Sequence, residues 1–147
     1  MPIIKTQNLT KRQGSSPGLE VYDLVDAAQG SHSLTIGELT MAPNSRVPRH
    51  IHPNTEEAMI ILEGTLEVVL GDQRMTVGPG HTVLAPAGAV HGFLNRSPEP
   101  ARMLFVFPTH QVERVLSSIP GATAGFPSEK GLTGYESPQD RPLDRRS

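Results

Sequence analysis

PRHIHPNTEEAMIILEG, residues 48–64, sets two histidines, His50 and His52, just ahead of a carboxylate pair, Glu56 and Glu57. Residues two apart on a strand point to the same face, so these imidazoles aim at one spot. Imidazole nitrogen and carboxylate oxygen together suit a divalent metal ion such as Fe, Mn, Ni, Zn or Cu. The stretch is therefore expected to supply three of four ligands to one such ion buried in a small β-barrel. Its second half, Glu57 to Glu63, is expected as a strand that ends at Gly64.

On both sides lie short apolar runs punctuated by Gly and Pro. Downstream, Thr65–Leu70 returns as a hairpin partner, followed by Gln73–Val77, His81–Ala85, Ala89–Asn95 and Ala101–Phe107. Upstream, Leu19–Asp26 and Ser33–Met41 are strand candidates, the second of ambiguous register. Strands at this spacing, with no helical period between them, predict an antiparallel sandwich or barrel. The all-β domain is placed at residues 19–108. Residues 1–18 form an N-terminal arm whose Ile3 and Ile4 could add an edge strand. Residues 109–147 are expected as a short C-terminal helix over Gln111–Ser118, with Val112, Val115 and Leu116 on one side, and an irregular Pro/Gly-rich tail.

Composition narrows the function classes. Thirteen basic residues against fifteen acidic ones imply no basic face, so nucleic acid and anionic membranes are not expected partners. The chain has no cysteine, which removes thiolate catalysis, disulfides and cysteine-rich zinc sites. No apolar leader or membrane span is visible, and a cytoplasmic location is expected. No phosphate loop, nucleotide fingerprint or serine-histidine-aspartate order appears.

Spacing carries the next step. His50-x-His52 is followed by four residues to Glu57 and six to Gly64; later, Gly80, Pro86, Gly88, His91 and Asn95 follow at fixed intervals. These segments resemble the paired motifs of the cupin superfamily, G-x5-H-x-H-x(3,4)-E-x6-G and G-x5-P-x-G-x2-H-x3-N. The second matches at every fixed position. The first departs at its opening glycine, where Asn44 stands; asparagine tolerates positive φ better than other residues.

The resemblance implies a double-stranded β-helix, the cupin or jelly-roll barrel. It also implies a 3-His/1-Glu centre of His50, His52, Glu57 and His91. Glu56 is the competing carboxylate, but the six-residue step to Gly64 favours Glu57. Period-two parity then turns Glu57, Met59 and Ile61 inward and Glu56 outward. Met59 and Phe93 are expected as pocket walls. His32, His81 and His110 are expected at the surface, as are Arg46, Arg49 and Arg102.

For function, the resemblance implies a small-molecule metalloenzyme with dioxygenase-type chemistry, an oxidoreductase, with Glu57 leaving the metal to move a proton. A metal-dependent isomerase, lyase or decarboxylase of a sugar or ketoacid, and a non-catalytic cupin binding a small ligand, are the alternatives. A homodimer is expected, since an exposed sheet edge needs covering.

Overall fold

The computed structural model describes residues 1–117, and the expected tail beyond them lies outside the described residues. Eleven strands are present: β1 (Arg12–Gln13), β2 (Leu19–Val25), β3 (Thr35–Met41), β4 (Arg46–Ile51), β5 (Glu57–Glu63), β6 (Leu66–Leu70), β7 (Gln73–Val77), β8 (Thr82–Ala85), β9 (His91–Leu94), β10 (Ala101–Phe107) and β11 (Val115–Leu116). They form two antiparallel sheets, β1-β2-β3-β10-β5-β8 and β11-β4-β9-β6-β7.

The pairing has a simple logic. β6 pairs with β7, β5 with β8, β4 with β9, and β3 with β10. The chain from β3 to β10 is thus one long hairpin, with its tip at the Gly71-Asp72 turn. Successive pairs alternate between the two sheets, so the hairpin is rolled up as a double-stranded β-helix. No helix among the described residues is long and apolar enough to cross a membrane.

Alternation along the strands builds the core. In β5 the pattern is buried at Glu57, Met59 and Ile61 and more open at Ala58 and Ile60, as period-two parity requires. The ambiguous register of β3 resolves with Gly37, Leu39 and Met41 inward. Met59, Ile61 and Met103 from one sheet meet Leu66, Val68 and Phe93 from the other in a single apolar cluster. Glu38, on the open face of β3, answers Arg102 at 3.3 Å, and Glu63 bonds the same guanidinium at 2.9 Å.

Two turns expected from the motif have the required geometry. Asn44 has φ 64°, the left-handed conformation for which glycine is the usual choice. Its amide donates to the Asn95 carbonyl at 2.7 Å. Asn95 itself is wholly buried, and its Nδ2 donates to the carbonyls of Met41 (3.1 Å) and Glu99 (2.8 Å). Its Oδ1 accepts from the Ser97 amide at 3.0 Å. Asn95→Ala should leave the buried Met41 carbonyl without this donor and release the loop to Glu99, at about 1–3 kcal/mol for a buried group left unsatisfied. Denaturant unfolding is expected to show a loss of at least about 2 kcal/mol; an unchanged midpoint would contradict the role.

Two expectations at the ends of the domain need correction. Ile3 and Ile4 make no strand, and Ile3 is 95% exposed. The arm does add an edge strand, but through Arg12–Gln13 against β2, fixed by the Arg12 guanidinium on both oxygens of Asp23 at 2.6 and 2.9 Å. The helix expected over Gln111–Ser118 is also absent over its described part. Gln111 to Arg114 has no regular structure, and Val115–Leu116 pairs with β4 at Ile51 and His50. The apolar stripe that suggested a helix is used otherwise: Val115 packs with Ile51 and Val90 in a small separate cluster.

Candidate metal centre

Four side chains converge between the sheets. His50 lies on β4, His52 just after it, Glu57 opens β5 and His91 opens β9. All four are buried, and one donor atom from each lies within 4.8 Å of the others. His91 Nε2 is 2.9 Å from Glu57 Oε1, His52 Nε2 is 3.3 Å from the same oxygen, and the Nε2 atoms of His50 and His52 are 3.2 Å apart. Glu56 is exposed, as parity requires. Met59 and Phe93, two residues along from Glu57 and His91, are 2% and 1% exposed and form the apolar layer next to the cluster.

A bulge aims His50. Val47 pairs with Phe93 and His50 with His91, so two residues, Pro48 and Arg49, oppose the single residue Gly92. Without that extra residue Arg49 would stand opposite His91, and His50 would turn to the other face. Gly92 makes room for it: a Cβ there would lie 2.8 Å from the Val47 carbonyl oxygen and 3.2 Å from the Arg49 Cα.

Each imidazole is held from behind by a backbone carbonyl. His50 Nδ1 lies 2.7 Å from the Pro48 oxygen, His52 Nδ1 2.8 Å from Glu113, and His91 Nδ1 3.0 Å from Ala89. A carbonyl only accepts, so each Nδ1 donates, and in the neutral ring each Nε2 has its lone pair turned inward. The Ala89 carbonyl is presented by the Pro86–Gly88 turn, whose Gly88 amide donates to the His52 oxygen at 3.0 Å.

The Glu113 carbonyl belongs to the segment expected as helix. A helix could have used that oxygen for its own hydrogen bond; the extended chain leaves it for His52. Asn54 secures the segment, with Nδ2 donating to the Gln111 carbonyl at 2.6 Å and Oδ1 accepting from the Glu113 amide at 3.0 Å. Sequence reasoning missed this support. Its only signal was Asn54 in the turn directly after His52.

Electrostatics suit a cation. Burial, followed by the neighbouring His91, Arg114 and His52, holds the His50 pKa well below an imidazole's ordinary value. Burial pushes the Glu57 carboxyl upward, but the contacts with His52 and His91 Nε2, each bridged by a proton when no ion is bound, outweigh it, and its pKa lies below the usual carboxylate value. Inward lone pairs beside an ionised carboxylate at these distances repel one another unless an electrophile sits among them. The donor set, three nitrogens and one oxygen, fits a divalent transition metal.

The other histidines stand apart. His32 and His81 are exposed, and His81 Nδ1 is engaged by Gly78 of its own turn. His110 is half-buried, with an Nε2 atom shielded from solvent and no hydrogen-bond partner among the described residues.

Comparison with known proteins agrees with this arrangement. Residues 37–107 match the cupin domain family model. The chain is 33% identical over 82 residues to the polyketide synthase CurC of Streptomyces cyaneus, covering 56% of this chain and 53% of that protein. It thus spans about half the length of this curated relative. Among solved structures, the polyketide cyclase RemF from Streptomyces resistomycificus superposes with TM-score 0.68 at 26% identity, over 76% of this chain and 81% of that one. A sugar phosphate isomerase from Silicibacter pomeroyi superposes at 0.70 and 22% identity, over 78% and 81%, a likeness of fold. Since the matched segment carries every strand of the rolled hairpin that bears a donor, residues 37–107 of this chain form a cupin domain.

Proposed function

We propose that this protein is a metal-dependent enzyme acting on an oxygen-rich, polyketide-like small molecule. The observation that carries the reading is the convergence of three inward-facing Nε2 atoms on the Glu57 carboxylate. The polyketide descriptions of CurC and RemF point to the substrate class. His50, His52, Glu57 and His91 would hold a divalent ion, which would supply Lewis acidity toward a substrate carbonyl or enol oxygen.

The chain's own groups do the rest. Glu57, ionised at neutral pH, takes a proton from the carbon between two substrate carbonyls and returns it after the carbon skeleton rearranges. Met59 and Phe93 keep water from the side of the cluster they border. The Pro48, Glu113 and Ala89 carbonyls keep the three rings in one orientation through the cycle. A homodimer in the cytoplasm belongs to the same proposal.

Dioxygenase chemistry is the second reading, favoured by the three-imidazole, one-carboxylate donor set, which would also suit a redox-active ion such as iron, manganese or nickel. Oxygen uptake separates the two. Protein loaded with Fe, Mn, Ni, Zn or Cu would be offered linear poly-β-ketones, flavonols and catechols, with and without dioxygen. Turnover in its absence, zinc included, is expected; turnover only with stoichiometric oxygen uptake transfers the assignment to a dioxygenase. Failure to retain any of the five metals would overturn both.

A further inference from the structure

Along the free edges of β7 and β8 the two sheets part. Gln73, Met75 and Val77 of β7 stand opposite Leu70, Val68 and Leu66, so they share the inner face of the sheet. An inner face should be buried throughout, yet only Val77 is, and Met75 is 49% exposed. Across the gap Val83 of β8 faces inward, and Leu84, beside Ala58 on the outer face, is 53% exposed at the rim. Between them lies a cavity of about 240 Å3, walled mainly by Val68, Leu70, Met75, Val77 and Val83.

The cavity is continuous in register with the metal centre. Leu70, at its upper end, is the cross-strand partner of His91, and Ala85, next along from the cavity's Leu84, is that of Glu57. A slot between two strand edges is flat and open along one side. An apolar cavity of ~150 Å3 holds a benzene molecule, so this one has room for a second ring. Gln73, at the end nearest Leu70, offers an amide to a polar substituent.

A second protein copy fits poorly. Stable pairing needs roughly 800 Å2 from each partner, and apart from the remote Met1, Ile3 and Leu34, the described chain exposes only Met75 and Leu84 as large apolar side chains.

We propose that the seam between β7 and β8 binds a flat apolar molecule of one or two rings whose oxygen-bearing end reaches the metal centre. Only the second half of that statement rests on the proposed function. Ring binding belongs to the seam itself and survives removal of the metal.

Naphthalene probes test both halves. The chain has no tryptophan, so naphthol fluorescence can be read without interference. 2-Naphthol should bind the metal-stripped full chain and shift the Met75 and Leu84 methyl resonances. Met75→Phe, which fills the slot from an exposed position without adding an indole, should weaken binding about tenfold or more while bound metal stays unchanged. Leu84→Glu, independent of it, should do the same. 2,3-Dihydroxynaphthalene should bind more tightly with metal loaded than stripped. If it gains nothing from metal while both substitutions still weaken 2-naphthol, the metal reading fails and the seam stands. Binding indifferent to both substitutions, or a dimer that Leu84→Glu dissociates, overturns the seam as a small-molecule site.

Discussion

His91→Ala is expected to leave the purified protein with almost no bound metal, where the parent chain should hold close to one ion. Loss of a group that only hydrogen-bonds a ligand costs about 10–100-fold in metal affinity, and loss of a ligand should exceed the upper figure. His91 is 1% exposed and has no neighbour to substitute for it at the Glu57 oxygen 2.9 Å away. Glu57 keeps His52 at 3.3 Å but loses one of the two hydrogen bonds that hold its carboxyl down, so its pKa should rise. Glu56→Ala, on the exposed neighbour, should change neither quantity. Elemental analysis of the three proteins, with far-ultraviolet circular dichroism to verify folding, makes the comparison. Full metal content in a folded His91→Ala protein would remove the centre as described.

Gly92→Ala should damage the site without touching a donor. The added methyl meets the Val47 carbonyl oxygen at 2.8 Å, a contact with backbone that cannot swing away. The bulge across from it must open, at about 1–3 kcal/mol for overpacking of this kind. His50 depends on that bulge for its direction, so metal affinity should fall along with the unfolding midpoint. The two readouts separate this residue from an ordinary packing position: Asn95→Ala should lower stability while folded protein still loads metal. A Gly92→Ala chain that is less stable but binds metal as before would show that the bulge does not aim His50.

Much of the domain was readable because its constraints are local. Parity alone turned Glu57, Met59 and Ile61 inward, and the buried positions of β5 follow it. The left-handed turn at Asn44 could be anticipated from side-chain chemistry. The convergence of His91 on β4 was implied by family spacing and not by any periodic pattern, since strand pairing is a long-range choice.

What escaped was equally physical. A bulge leaves no compositional mark: His50 and His52 are two apart whether or not Pro48-Arg49 carries an extra residue. Val112, Val115 and Leu116 fit a helical stripe, yet β4 had an open edge, and backbone pairing with Ile51 and His50 took the segment instead. Ile3 looked like strand material, whereas the polar Arg12 won the edge through its ion pair with Asp23.

The rolled hairpin has one more implication. Glu57 comes from the six-stranded sheet, while His50 and His91 come from the five-stranded one, and elsewhere the two sheets meet mainly through apolar side chains. An ion bound there is a clasp across the sandwich, and prying the sheets apart would mean releasing it. By mass action, a free ion at a thousand times its dissociation constant adds about 4 kcal/mol to the work of unfolding. A cofactor held there for chemistry would also act as a structural rivet, and the melting temperature of a preparation would then rise with its metal content.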